Sequence, residues 1–241
     1  MKIIMPTELK SPQQSQPLFT KTTRFPTGLY GITPEWDDFS RLFTAIETAC
    51  HAGLPILQWR RKNTPFDVAL EQASMVAKVC KNTGTTFVIN DDWQLALAVK
   101  ADAVHLGKDD ASVLTVQKAL QTESHSLLIG VSCYNQLELA QKAILHDVDY
   151  LAFGAVYPSS VKPNAVRAPL RLFREARDLF SPTSSSPQTL VAIGGITRQN
   201  AAPVIQAGAD SIAVISGLFE QTDIAQTTKD FIQLFKQNYH D

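Results

Sequence analysis

The chain has 241 residues, enough for one large domain or two small ones, and hydrophobic and charged residues make up 44% and 19% of it, which excludes a disordered or fibrous protein. Twenty-two basic residues stand against 23 acidic ones, for a net charge of −1. That balance gives no long-range pull toward nucleic acid or a membrane surface, so any anion site must be local.

The expected partners are therefore small molecules, with no nucleic acid and no membrane, and a homo-oligomer is left open. No apolar run approaches the ~20 residues of a membrane span. The three cysteines, Cys50, Cys80 and Cys133, are odd in number and far apart. They suit a reducing, cytoplasmic setting and lack the spacing of a zinc site.

Residues 1–27 carry four of the 13 prolines (Pro6, Pro12, Pro17 and Pro26) among Gln, Ser, Thr and Lys. Their apolar segment, Ile3–Met5, is too short for a secretory signal. The stretch is expected to be a flexible tail.

From Gly28 short apolar runs recur: Leu29–Thr33, Ile56–Arg60, Thr86–Asn90, Ala103–Leu106, Leu127–Ser132, Tyr150–Val156, Leu190–Ile193 and Ser211–Ile215. Each reads as a strand. Between them apolar residues return at helical spacing, as in Phe39, Leu42, Phe43 and Ile46, or Leu172, Phe173, Ala176 and Leu179. A last helix is expected over Asp223–Gln237. Ala101-Asp102, Val148-Asp149 and Ala209-Asp210 close helices just before strands, and Gly53 and Gly208 stand where a helix end favours a left-handed residue. Ser181–Gln188 is a low-complexity helix-to-strand loop.

Eight strands alternating with eight helices imply a parallel sheet, and that number suggests a closed (β/α)8 TIM barrel, one catalytic domain over 28–241. The first strand is not followed by Gly-x-Gly-x-x-Gly, which argues against a dinucleotide fold. In such barrels the chemistry sits at the C-terminal strand ends.

The second strand ends Gln58-Trp59-Arg60-Arg61-Lys62. Alternation puts Gln58, Arg60 and Lys62 on one face, two cations and an amide fit for an anion, with Trp59 and Arg61 on the other. A solvated basic strand end would look the same. The third strand ends Asn90-Asp91-Asp92, and the fourth runs His105-Leu106-Gly107-Lys108-Asp109-Asp110. Asp91 with Asp110 fits Mg2+ held on a diphosphate, which takes one or two carboxylates. Asp92 and Asp109 fit helix caps. His105 fits a packed structural histidine more readily than a functional one.

The fifth strand ends Ser132-Cys133-Tyr134; the Ser132 hydroxyl can donate to a phosphate, and Cys133 at the same end has no activating neighbour. The sixth leads into a long loop from Tyr157 to Arg167, the length of a lid. Gly194-Gly195 follows the seventh and Ser216-Gly217 the eighth, where barrels commonly bind phosphate. The strand glycines 107, 130, 154, 194, 195 and 217 point to tight packing or to backbone beside a ligand.

In this order the chain shows Gln58-x-Arg60-x-Lys62, Ile89-Asn90-Asp91, His105-Leu106-Gly107-x-x-Asp110, Gly130-Val131-Ser132, Tyr157-Pro158-x-x-x-Lys162, Ile193-Gly194-Gly195-Ile196 and Ile215-Ser216. The set resembles thiamine-phosphate synthase over about Gly28–Phe219. The resemblance implies a transferase of thiamine biosynthesis. It couples 4-amino-2-methyl-5-(diphosphomethyl)pyrimidine with a thiazole phosphate, decarboxylated or carboxylated, and gives thiamine phosphate and pyrophosphate.

Carried over by position, Gln58, Arg60, Lys62, Asn90, Ser132 and Lys162 hold the pyrimidine diphosphate. Among these, Arg60, Lys62 and Lys162 act on the leaving group. Asp91 and Asp110 bind Mg2+. Ser159, Gly194, Gly195, Ile215 and Ser216 take the thiazole phosphate. The chain departs from the family pattern in three places. Val161 stands where a threonine is common, the loop before Arg167 is longer by one residue, and Cys133-Tyr134 follows Ser132 where the sister family has a histidine.

Three other readings compete. A thiazole tautomerase of the same fold would need that histidine and no diphosphate-bound metal, so Asp91, Asp110 and Lys62 favour the synthase. A barrel that binds thiamine precursors without turnover finds support in Val161 alone. A generic sugar-phosphate epimerase rests on fold analogy and would not need Gln58, Arg60 and Lys62.

Overall fold

The computed structural model describes residues 23–158, 165–180 and 187–238. Within them the chain alternates β1 (Gly28–Ile32), α1 (Phe39–His51), β2 (Ile56–Trp59), α2 (Phe66–Thr83), β3 (Thr86–Asn90), α3 (Trp93–Ala98), β4 (Ala103–Leu106), α4 (Val113–Leu120) and β5 (Leu128–Tyr134). It continues with α5 (Leu137–Leu145), β6 (Tyr150–Gly154), α6 (Arg171–Arg177), β7 (Thr189–Ile193), α7 (Ala201–Gln206), β8 (Ser211–Val214), α8 (Ser216–Phe219) and α9 (Ile224–Asn238). The strands pair in parallel in sequence order and β8 closes on β1, a (β/α)8 barrel as expected. One short helix, α8, was not anticipated.

Period-two alternation sorts the strand residues into two cores. Tyr30, Ile32, Ile56, Val88, Ala103, Tyr150, Ala152, Val191 and Ala213 fill the interior. Their neighbours, among them Leu29, Leu57, Trp59, Phe87, Ile89, Val104, Leu151, Leu190 and Ile212, pack outward against the helices. Side-chain caps start several helices: Asp38 accepts from Arg41 N at α1, Asp92 from Leu95 N at α3, and Ser112 from Thr115 N at α4. Gly84, at φ 73°, ends α2 in the left-handed region.

The three Ala-Asp or Val-Asp punctuation marks have a common job. Asp102 N donates to Phe87 O while its carboxylate accepts from Phe87 N, at 2.9 and 2.7 Å. Asp149 does the same with Ile129, at 2.8 and 2.7 Å, and Asp210 with Leu190, at 2.8 and 2.8 Å. Each aspartate thereby ties the start of an even strand to its odd predecessor at the N-terminal face. Arg177 Nη2 donates to Asp210 at 2.7 Å.

Residues 23–27, expected in the flexible tail, pack against the barrel instead. Phe25 is buried inside the barrel floor, 1% exposed, its ring stacked on Tyr150 at 4.2 Å between centroids. Its backbone is tied to Thr189, which receives from Phe25 N at 3.2 Å and donates to Phe25 O at 2.6 Å. Ser211 Oγ donates to Pro26 O, and Arg24 pairs with Asp147. Full burial of one phenylalanine is worth roughly 1.5–3 kcal/mol, which holds a polar, proline-bearing arm in place without a periodic apolar pattern. Residues 1–22 lie outside the described residues.

Candidate active site

At the C-terminal end of the strands lies a cavity of about 470 Å³. Gln58, Arg60 and Lys62 line it together, as strand alternation requires, while Trp59 is buried against Phe39 on the helix side and Arg61 donates to Trp36 O. Asn90, Asp91, Asp110, Ser132, Gly194, Gly195, Ile215 and Ser216 also line it. Ser159 and Lys162, also expected here, lie outside the described residues.

The acidic and basic groups of this mouth are interlocked. Lys62 Nζ lies 3.3 Å from Asp91 Oδ2. Asp110 is a close electrostatic neighbour of Asp91, and its Oδ2 accepts from Gly107 N at 2.6 Å. Burial first, then the neighbouring Asp110, push the Asp91 carboxyl above the usual range, and Lys62 offsets part of the rise. Asp91 has φ 66°, a left-handed conformation that Asn and Asp tolerate best among residues with a side chain. The conformation sits in the tight turn where β3 gives way to α3, with Asp92 N donating to Asn90 O at 2.8 Å.

Glu35, in the β1–α1 loop, was not singled out from sequence. Its Oε1 receives from Arg60 Nη1 at 3.0 Å and from Lys62 N at 3.1 Å. It fixes both the guanidinium and the chain that carries Lys62. Nothing in the sequence links an acidic residue to a cation 25 positions away.

Three other expectations need correction. Asp109 lines the cavity, and the cap of α4 is Ser112. His105 also lines the cavity, with Nε2 2.9 Å from Ser132 Oγ and Nδ1 3.0 Å from Tyr150 OH. Cys133 does not face the cavity: Ser132 and Tyr134 line it, so alternation along β5 puts Cys133, with Ile129 and Val131, in the helix-side core. Burial pushes its thiol up to about 12, which removes it as a nucleophile.

The glycines after β7 are required by packing. A Cβ on Gly195 would collide with Pro158 O, and one on Gly194 would lie 2.5 Å from Ala155 Cβ. The β6–α6 loop is thus pressed against β7, with Tyr157 N donating to Gly194 O at 3.0 Å and Tyr157 OH to Asn200 O at 3.1 Å. Across its base, Ala155 N donates to Val166 O and Ala168 N to Ala155 O, at 2.9 and 3.0 Å.

A family model described as thiamine monophosphate synthase matches residues 29–218, nearly the whole barrel. This chain belongs to the thiamine monophosphate synthase family. It is 49% identical over 203 residues to the thiamine-phosphate synthase of Bordetella avium, a match that covers 84% of this chain and 92% of that one. It is 46% identical over 208 residues to the thiamine-phosphate synthase of Methylobacillus flagellatus, covering 86% and 95%. Among solved structures, the thiamine phosphate pyrophosphorylase of Pyrococcus furiosus superposes with a TM-score of 0.75 at 28% identity, covering 89% of this chain and 98% of that one. The chain is an enzyme of this family, and thiamine-phosphate synthase is its activity. Among the described residues, no helix is long and apolar enough to cross a membrane.

Proposed function

We propose that the enzyme joins 4-amino-2-methyl-5-(diphosphomethyl)pyrimidine to a thiazole phosphate in this cavity by a dissociative displacement at the pyrimidine methylene. The observation that carries the reading is the convergence of Arg60, Lys62, Asp91 and Asp110 on one wall, with Gln58 and Asn90 beside them.

Two carboxylates pressed together beside a single lysine make a hard-oxygen donor pair short of positive charge, which fits Mg2+ shared with a diphosphate. Such a magnesium ion would neutralise charge that grows on the leaving pyrophosphate. Arg60, Lys62 and Lys162 would stabilise the same charge as the methylene–oxygen bond breaks. Gln58 and Asn90 would hold the pyrimidine by amide hydrogen bonds, and Ser132 would donate to a diphosphate oxygen. Glu35 would keep Arg60 aimed. Ser159, Gly194, Gly195, Ile215 and Ser216 would take the thiazole phosphate, using backbone N–H groups between the loops after β7 and β8. The thiazole nitrogen needs no protein base, since it attacks as a neutral lone pair.

The test is pyrophosphate release with both substrates, each thiazole form being supplied in turn, with and without Mg2+. Release that needs both substrates and the metal supports the reading, and release without the metal rejects the roles given to Asp91 and Asp110.

A further inference from the structure

Four side chains run in file from the barrel floor to the cavity: Tyr30, Tyr150, His105 and Ser132. Tyr30 OH lies 3.0 Å from Tyr150 OH, Tyr150 OH 3.0 Å from His105 Nδ1, and His105 Nε2 2.9 Å from Ser132 Oγ. The file exists because His105, Gly130 and Tyr150 are successive register partners on β4, β5 and β6. Gly130 has no side chain, so the rings of His105 and Tyr150 meet across it, stacked at 5.6 Å and 20°. On its other side Tyr150 rests on Phe25.

The direction of these hydrogen bonds follows from counting protons. Burial raises the pKa of both phenols, so each keeps its single proton. Among the described residues, the buried Tyr30 hydroxyl has Tyr150 as its hydrogen-bond partner. If Tyr150 donated to Tyr30, the proton of this 2% exposed side chain would have no protein acceptor among the described residues, the costly arrangement. Tyr30 therefore donates to Tyr150, and Tyr150 must donate onward to His105 Nδ1. A neutral imidazole that accepts at Nδ1 carries its proton on Nε2. That proton goes to Ser132 Oγ, and the Ser132 proton is left to point into the cavity.

We propose that Tyr150 is a positioning residue that fixes His105 as its Nε2–H tautomer and so makes the Ser132 hydroxyl a donor to substrate. The inference rests on the reading of Ser132 as part of the diphosphate site. A diphosphate oxygen offers only lone pairs, so a serine whose proton was held by a histidine lone pair could not bind it. The opposite polarity of the file would turn Ser132 away from the anion, although every heavy atom stayed in place. Tyr150 acts through His105 and touches no reacting atom.

The tautomer is read directly by 15N NMR of the histidine rings of the full-length protein without ligand, at pH 8. The His105 signal is identified by its loss in His105→Gln. A protonated Nε2 and an unprotonated Nδ1 are expected; a protonated Nδ1 overturns the proposal. In kinetics, Tyr150→Phe should lower kcat about tenfold, the scale of one net hydrogen bond, and should also lower the melting temperature, because the Tyr30 hydroxyl loses its acceptor. In a Ser132→Ala background the same substitution should have no further effect, because the hydroxyl it orients is gone. An equal loss in both backgrounds overturns the proposal. If Tyr150→Phe does not fold, the NMR measurement on the parent protein still decides. Absence of pyrophosphate release by the parent protein would overturn the functional reading, while the tautomer would remain measurable.

Discussion

The ring of Tyr150 fills the space that a side chain at position 130 would need. The two residues are register partners on β5 and β6, and a Cβ on Gly130 would fall inside that ring. The glycine is therefore a packing requirement of the barrel interior, two residues before Ser132 on the same strand.

Gly130→Ala is expected to cost about 1–3 kcal/mol, the usual penalty for overpacking a filled core, measured by urea unfolding. Tyr150→Leu, which removes the offending ring atoms, should tolerate the alanine better than the parent does. A double-mutant cycle showing strict additivity would mean that the clash is relieved elsewhere.

Phe25→Ala should destabilise the protein by about 3–5 kcal/mol, as for truncation of a buried aromatic. Deletion through Pro26 should lower the melting temperature well below that of a protein lacking residues 1–22 alone. Equal melting temperatures for the two truncations would show that the floor does not need its plug. Sequence patterning assigned Phe25 to the tail because one apolar residue beside a proline makes no periodic signal; only the closed barrel supplies the hole that it enters.

Asp91 calls for Asn rather than Ala as its test, since Asn tolerates φ 66° and Ala does not. Asp91→Asn should abolish Mg2+-dependent turnover with the fold intact. The folded state raises the Asp91 pKa, so the folded protein holds this proton more tightly than the unfolded chain does. Stability from that proton is present below the unfolded pKa and is lost as pH rises through the folded one. At neutral pH the metal-free protein therefore carries an unfavourable charge, and Asp91→Asn should raise its melting temperature. The gain should shrink toward pH 4. A lower melting temperature at pH 7 would show that the Lys62 pair outweighs burial.

Glu35→Ala should raise the KM for the pyrimidine diphosphate several-fold, with a smaller change in the thiazole KM, because Arg60 and the backbone before Lys62 lose a shared acceptor. An unchanged KM in steady-state kinetics would make the contact incidental.

Lys162→Ala should lower kcat by about 10²-fold, the scale of removing one preorganised donor to developing charge. A rise in thiazole KM alone would move Lys162 to the thiazole-phosphate site.

The barrel was legible because period-two runs and helical spacing alternate without interruption from Gly28, and strand alternation alone placed Gln58, Arg60 and Lys62 on the cavity face. The same alternation, with Ser132 facing inward, puts Cys133 in the helix-side core, so its place was legible too. Other features were hidden. The four residues of α8 are too few to show a helical period. His105 was underread because its partners, Ser132 and Tyr150, come from two other strands.

The ties made by Asp102, Asp149 and Asp210 separate two tasks that share each strand. Strand register is fixed at the N-terminal face by a two-way bond between one aspartate and one residue of the strand before it. The cavity proposed as the active site occupies the opposite end, about four or five residues away along the same strands. Substitutions at the mouth can therefore change what is bound without releasing the alignment that keeps every inward side chain inward. A chain organised this way can drift in specificity while its scaffold stays constant, and its most constrained acidic residues need not be its catalytic ones.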